Sequence, residues 1–180
     1  MRVILLTGLP GTGKTTMVKR IHEQYSRSGV RVGGIITSEV RGASGRIGFK
    51  LLDLSNGREG WLARKDSGVG PRVGLYRVVT EDLETIGVAA LNRAVDGPAD
   101  LVLVDEVGPM EMTSPSFREA VSRVLKSIKT ILATVKYGSH YGEIEEIRDG
   151  SVQLEITKTN REEIYNRLVR QIDEWIRPRG

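Results

Sequence analysis

The residues with the clearest chemical meaning lie near the amino terminus. Gly8-Leu9-Pro10-Gly11-Thr12-Gly13-Lys14-Thr15 places glycine, lysine and threonine at the spacing G-x-x-x-x-G-K-[ST]. That pattern cradles phosphate. Its glycines let the backbone curl until several N–H groups face one point, and a helix starting behind them turns its positive end the same way. Lys14 would reach β- and γ-phosphate oxygens as a catalytic group, and Thr15 would offer its hydroxyl to Mg²⁺. The nucleotide-binding segment expected here runs from Gly8 through Thr16.

Such a loop needs an acidic partner at the end of a neighbouring strand. Leu101-Val102-Leu103-Val104 is apolar on both faces and runs into Asp105-Glu106. Asp105 is the expected second Mg²⁺ ligand, beside Thr15. Glu106 is the expected catalytic base: a carboxylate at that place can orient a water and accept its proton during attack on the γ-phosphorus. Val104, Asp105, Glu106, Val107 and Gly108 complete the expected nucleotide contacts. An acid pair in the magnesium strand is the habit of RecA-like and AAA-type enzymes, in which another strand lies between this one and the phosphate-loop strand. That order is the one expected here.

The elements that must position these residues follow from pattern. Arg2 to Thr7 reads as a buried strand, and a helix from about Lys14 repeats apolar residues at Met17, Ile21 and Tyr25, with Val18 alongside, up to Gly29. Residues 33–79 read as β-rich and partly antiparallel, with turns at Arg41–Gly45 and Ser55–Gly57, forming an insertion or edge of one domain spanning 1–180. A helix is expected over Thr80 to Val95 with Thr80 as its N-cap. Ser114-Pro115 begins another, with Phe117, Ala120, Val121, Val124, Leu125 and Ile128 on its buried face. Thr130 to Val135 and Val152 to Ile156 read as strands. Thr159 and Glu162 read as a capping box for a last helix carrying Ile164, Leu168, Ile172 and Trp175. Alternation of strands and helices makes this an α/β chain of the P-loop NTPase type, with a RecA-like, open, mostly parallel sheet, helices on both faces and a β-rich hairpin insertion.

With these residues in place, the chain resembles a known family, the small P-loop nucleoside-triphosphatases of thermophilic archaea and bacteria, to which a human cancer-related nucleoside-triphosphatase belongs. The resemblance is carried by Gly8 to Thr15, by Val104-Asp105-Glu106-Val107-Gly108-Pro109-Met110-Glu111-Met112 and by Ser114-Pro115-Ser116-Phe117-Arg118. Ile47-Gly48-Phe49-Lys50, Glu81-Asp82-Leu83-Glu84 and Asn160-Arg161-Glu162 extend it nearly end to end. It implies slow, magnesium-dependent hydrolysis of ATP, GTP and other nucleoside triphosphates. Pro109 stands where many members have lysine, and Lys136-Tyr137 where many have His-Arg, so roles of those positions do not carry over.

Composition sets the remaining bounds. There is no cysteine, which excludes disulfide scaffolds and thiolate metal sites. No apolar run approaches the ~20 residues of a membrane helix, and a cytoplasmic address is expected. The net charge is +4, but basic and acidic residues interleave and aromatics are 5%, against a polynucleotide ligand. A monomer or weak oligomer is expected.

Other candidates are weaker. Thr134 could sense the γ-phosphate or be a plain strand residue. Lys136 and His140 lie in a loop at the carboxyl edge of the sheet, while His140 and His22 also fit ordinary surface positions. Arg41, Arg46, Arg64 and Lys65 could close over phosphates or be solvated. Two rival functions stay open: a nucleotide or small-metabolite kinase with residues 41–72 as its lid, and a nucleotide-dependent regulatory switch.

Overall fold

A computed structural model describes residues 1–66 and 69–176. Residues 67 and 68, within the expected β-rich stretch and lid, lie outside the described residues.

The strands are β1 (Val3–Thr7), β2 (Val32–Gly42), β3 (Gly45–Asp53), β4 (Glu59–Arg64), β5 (Arg72–Val73), β6 (Tyr76–Val78), β7 (Leu101–Val107), β8 (Thr130–Val135) and β9 (Val152–Glu155). They form one sheet in the order β5-β6-β4-β3-β2-β7-β8-β1-β9. From β2 to β9 all neighbours are parallel, and from β2 outward through β3, β4, β6 and β5 all are antiparallel. β8 separates the Asp105 strand from the phosphate-loop strand, the order expected from the Asp-Glu pair.

The apolar runs of β1, β7 and β8 are central because helices cover both of their faces. α1 (Lys14–Arg27) and α6 (Arg161–Ile176) bury Met17, Val18, Ile21, Ile164, Leu168 and Ile172 against Ile4, Leu6, Leu103 and Leu132. On the opposite face, α3 (Ala89–Asp96) and α4 (Pro115–Leu125) cover Val3, Leu5, Val102, Val104, Ile131 and Ala133 with Leu91, Phe117, Val121 and Val124. Each such aliphatic side chain stabilises the fold by about 1.5–3 kcal/mol on transfer grounds. The sheet's carboxyl edge is thereby held in a fixed plane.

Several local expectations need correction. The segment expected as a helix over Thr80 to Val95 is helical without a break from Thr80 to Asp96, but a π-helical stretch, Leu83–Val88, lies between α2 (Thr80–Asp82) and α3. Thr80 is inside the helix, and the preceding Val79 offers no capping side chain. Ser114 does cap α4, its hydroxyl accepting from Phe117 N at 3.0 Å. Ile128 is 91% exposed, because α4 stops at Leu125 and the residue sits in the turn before β8. The capping box of α6 is not formed. Glu162 pairs with Arg20 at 2.6 Å, and the turn is closed instead by Asn160 Oδ1, which accepts from Thr157 N at 2.7 Å. The loop after β8 contains a short helix, α5 (Gly142–Glu145), that periodicity did not announce.

Candidate active site

The strand ends bring the chemistry together. Register pairs Leu6 with Thr134, Val104 with Ala133 and Ile36 with Asp105, so Thr7, Thr134, Asp105 and Thr37 line up along the carboxyl edge. Ligands of open α/β sheets bind there. A cavity of ≈ 910 Å³ opens above this edge.

Leu9, Pro10, Gly11, Gly13, Lys14, Thr15 and Thr16 form one wall. No side chain caps the start of α1, which leaves its first-turn N–H groups free for an anion. Gly8 is buried where the loop leaves β1, and a Cβ there would sit 2.4 Å from the Ile156 carbonyl oxygen, so only glycine fits. Thr12 is also buried; its hydroxyl donates to Leu9 O at 2.8 Å and fixes the curl of the loop. Lys14 Nζ donates to Gly8 O at 2.8 Å and lies 4.0 Å from Glu106 Oε2. The ammonium is thus poised between the loop and the acidic strand.

Asp105 is fully buried. Its Oδ1 accepts from the Thr134 hydroxyl at 2.6 Å, whereas Oδ2 is buried with no hydrogen-bond partner. Burial pushes its carboxyl above the usual range, opposed by the Thr134 and Thr15 hydroxyls, the Thr37 N–H and the Lys14 charge. A buried carboxylate oxygen without a partner, close to a threonine hydroxyl, is a suitable donor for a small hard cation. Glu106 is only partly buried and faces the cavity; burial raises its pKa too, and Lys14 opposes the rise.

Val104 and Val107, expected among the nucleotide contacts, turn their side chains into the core under α4 and are not among the residues that line the cavity. Gly108 stands just behind the wall. Thr134 is buried at the end of β8, and its hydroxyl is directed at Asp105. Lys136 and Tyr137 line the cavity, as does Pro109. His140 is exposed, its Nδ1 3.4 Å from Glu145 Oε1, and it does not reach the wall. His22 is on α1, away from the cavity, its pKa lowered by burial. Of the four basic candidates, only Arg46 lines the cavity, held by Glu39 at 2.5 Å. Arg41 also pairs with Glu39, Arg64 is bound to Asp66 at 2.7 Å, and Lys65 lies 5.9 Å from the Tyr76 ring.

Three participants were not singled out from sequence. Arg161, at the start of α6, donates from Nε to Thr12 O at 2.8 Å and ties that helix to the phosphate loop. Thr37 aims its N–H at Asp105. Glu111 is a buried carboxyl at the cavity wall. Thr37 acts through strand register and Arg161 through helix docking; the sequence marked Arg161 only as part of the Asn160-Arg161-Glu162 resemblance and gave neither residue a partner. Glu111 had one, an acid between Met110 and Met112 in an apolar setting.

This is the site of a P-loop NTPase on a RecA-like sheet, and comparison with known proteins gives the family. The NTPase family model matches residues 3–169, and the chain belongs to that family. Its relatives include the "Nucleoside-triphosphatase THEP1" of Thermofilum pendens, 48% identical with 93% of each chain covered. That of Methanosarcina acetivorans is 41% identical, with 94% of this chain and 98% of the relative covered. The crystal structure of THEP1 from Aquifex aeolicus superposes with a TM-score of 0.82 at 30% identity, covering 95% of this chain and 99% of that one. The solution structure of a human cancer-related nucleoside triphosphatase gives 0.79 at 34%, covering 97% and 98%.

Proposed function

We propose that the chain, acting as one domain with residues 33–79 as its edge, is a Mg²⁺-dependent nucleoside-triphosphatase. It hydrolyses ATP, GTP and other nucleoside triphosphates to the diphosphate and phosphate with broad tolerance of the base. One observation carries the reading: the Glu106 carboxylate stands at the cavity wall 4.0 Å from the phosphate-loop lysine, beside the buried Asp105. The names of the relatives support the same activity.

In this reading the free N–H groups of the loop and of α1 hold the β- and γ-phosphates. Lys14 leaves Gly8 O for the γ-phosphate and offsets charge that develops as the bond to the β-phosphate oxygen breaks. Glu106 orients a water for attack on phosphorus and takes its proton. Asp105 and Thr15 would hold Mg²⁺, a cation commonly bound by one or two carboxylates together with substrate phosphates. When bound, the ion neutralises the phosphate oxygens. Thr134 keeps the Asp105 carboxylate charged and aimed.

A second reading draws on the cavity lining, which includes the apolar residues Phe49, Leu62 and Met110 that a phosphoryl acceptor could use. A panel of nucleoside triphosphates, with and without candidate acceptors, in Mg²⁺ and in EDTA, tests both. Free phosphate from several triphosphates, abolished by EDTA, is the expected outcome. Phosphorylated acceptor without free phosphate would replace hydrolase by kinase.

A further inference from the structure

Glu111 has no part in the mechanism above, yet the fold holds it beside the base. It lies in a 3₁₀ turn (Glu111–Thr113) after β7, 4% exposed, and still borders the cavity. No described residue forms an ion pair with it; the backbone N–H groups of Gly108 and of Glu111 itself favour its charge, against a larger opposing effect of burial. A buried carboxyl without a cation is more stable as the neutral acid.

Its distance from Glu106 is set by Gly108. A Cβ on Gly108 would lie 3.0 Å from Glu106 Oε1 and 3.0 Å from Glu111 Oε2, so these oxygens are no more than about 6 Å apart. The missing side chain lets the two carboxyls approach. We propose that Glu111 is a positioning residue for Glu106: as the neutral acid it holds the 108–111 turn closed behind the base and keeps a second negative charge away from the γ-phosphate. This inference rests on the hydrolase reading of Glu106.

The groups facing Glu111 explain why its ionisation is harmful. β7 presents Asp105 and Glu106, both negative in the working site, and the segment before α5 presents Tyr141. Arg118 of α4 is taken by Glu143 at 2.8 Å, and Lys14 and Lys136 act on Glu106 instead. Glu84, from the π-helical stretch, is bonded to Ser114 and adds negative charge near the start of α4. Burial raises the Glu111 pKa to about 8, with Glu106 and Asp105 adding to the rise. Above that pH a charged Glu111 repels both the base and the phosphate, and the chemical step slows.

Single-turnover hydrolysis of MgATP against pH tests this. Between about pH 7 and about pH 9 the parent rate constant should fall about tenfold, the drop for one ionisation midway. In Glu111→Gln, which cannot ionise, the same interval should change the rate less than about twofold. Glu111→Met, also unable to ionise, provides the same readout if the amide folds poorly. Gly108→Ala, whose Cβ obliges the Glu106 and Glu111 oxygens to shift, should lower the single-turnover rate constant, and a parent-like rate constant in it counts against the proposal. A full drop retained in Glu111→Gln or Glu111→Met, or a flat parent profile, overturns the proposal. Glu106→Gln in the same assay keeps the two ideas apart. If it turns over like the parent, the hydrolase reading of Glu106 has failed; if it is inactive while the Glu111 variants keep the drop, only the role of Glu111 has.

Discussion

Replacing Thr134 by valine removes one hydroxyl and keeps the side-chain shape. That hydroxyl is wholly buried and donates to Asp105 Oδ1 at 2.6 Å, while Oδ2 has no partner. Hydrogen bonds to charged groups are worth about 1.5–3 kcal/mol, and 1.36 kcal/mol is a factor of ten. Asp105 must be charged to bind a cation, so the Mg²⁺ needed for half-maximal phosphate release should rise roughly ten- to a hundredfold. Loss of partners behind metal ligands elsewhere has effects of similar size, about 10–100-fold. The Thr15 hydroxyl and the Thr37 N–H remain near the carboxylate and favour the lower end. The assay is a Mg²⁺ titration at fixed ATP. Thr134→Ser separates aim from packing: it keeps the donor and deletes one methyl, costing about 0.8 kcal/mol of folding stability with the metal dependence retained. A valine variant whose Mg²⁺ half-saturation stays within about twofold of the parent would refute the reasoning.

Lys14→Ala should lower both nucleotide affinity and turnover, by at least about tenfold for one charge-assisted bond lost; parent-like binding by calorimetry would refute the phosphate-loop role. Glu111 should also shape stability. Its pKa is 4.5 when unperturbed and about 8 in the fold, so between those values the folded state holds a proton that the unfolded state has released. Stability from this group therefore falls as pH rises through that window, by about 1.4 kcal/mol per unit, and levels off above it. Urea unfolding of nucleotide-free protein should show this slope reduced in Glu111→Gln, and parallel curves would contradict it.

The phosphate loop was legible because its eight residues are contiguous and the strand and helix around it are strongly patterned. Asp105 and Glu106 were legible because an apolar run ends on them, and the Asp-Glu pair also gave the strand order. Thr134 was seen as a candidate, but that its hydroxyl meets Asp105 depends on the register of β8 against β7, which leaves no local mark. The same holds for Thr37, which needs the Ile36–Asp105 register, and for Arg161, which needs α6 docked on α1. Ile128 was misread because apolar spacing continues past the point where the backbone leaves the helix. Thr159 and Glu162 had the spacing of a capping box, yet Arg20 offers Glu162 a charged partner, which a backbone N–H does not match.

The central claim is that Glu106 acts on the attacking water and not on the bound nucleotide. Glu106→Gln keeps the size of the side chain and removes the base. ATP affinity and phosphate release should therefore be measured together on this variant, in Mg²⁺. Turnover should fall by about 10²–10⁴-fold, roughly 3–5 kcal/mol of barrier, while affinity stays within a few-fold. Parent-like turnover would contradict the account, and so would an affinity that falls as steeply as the rate.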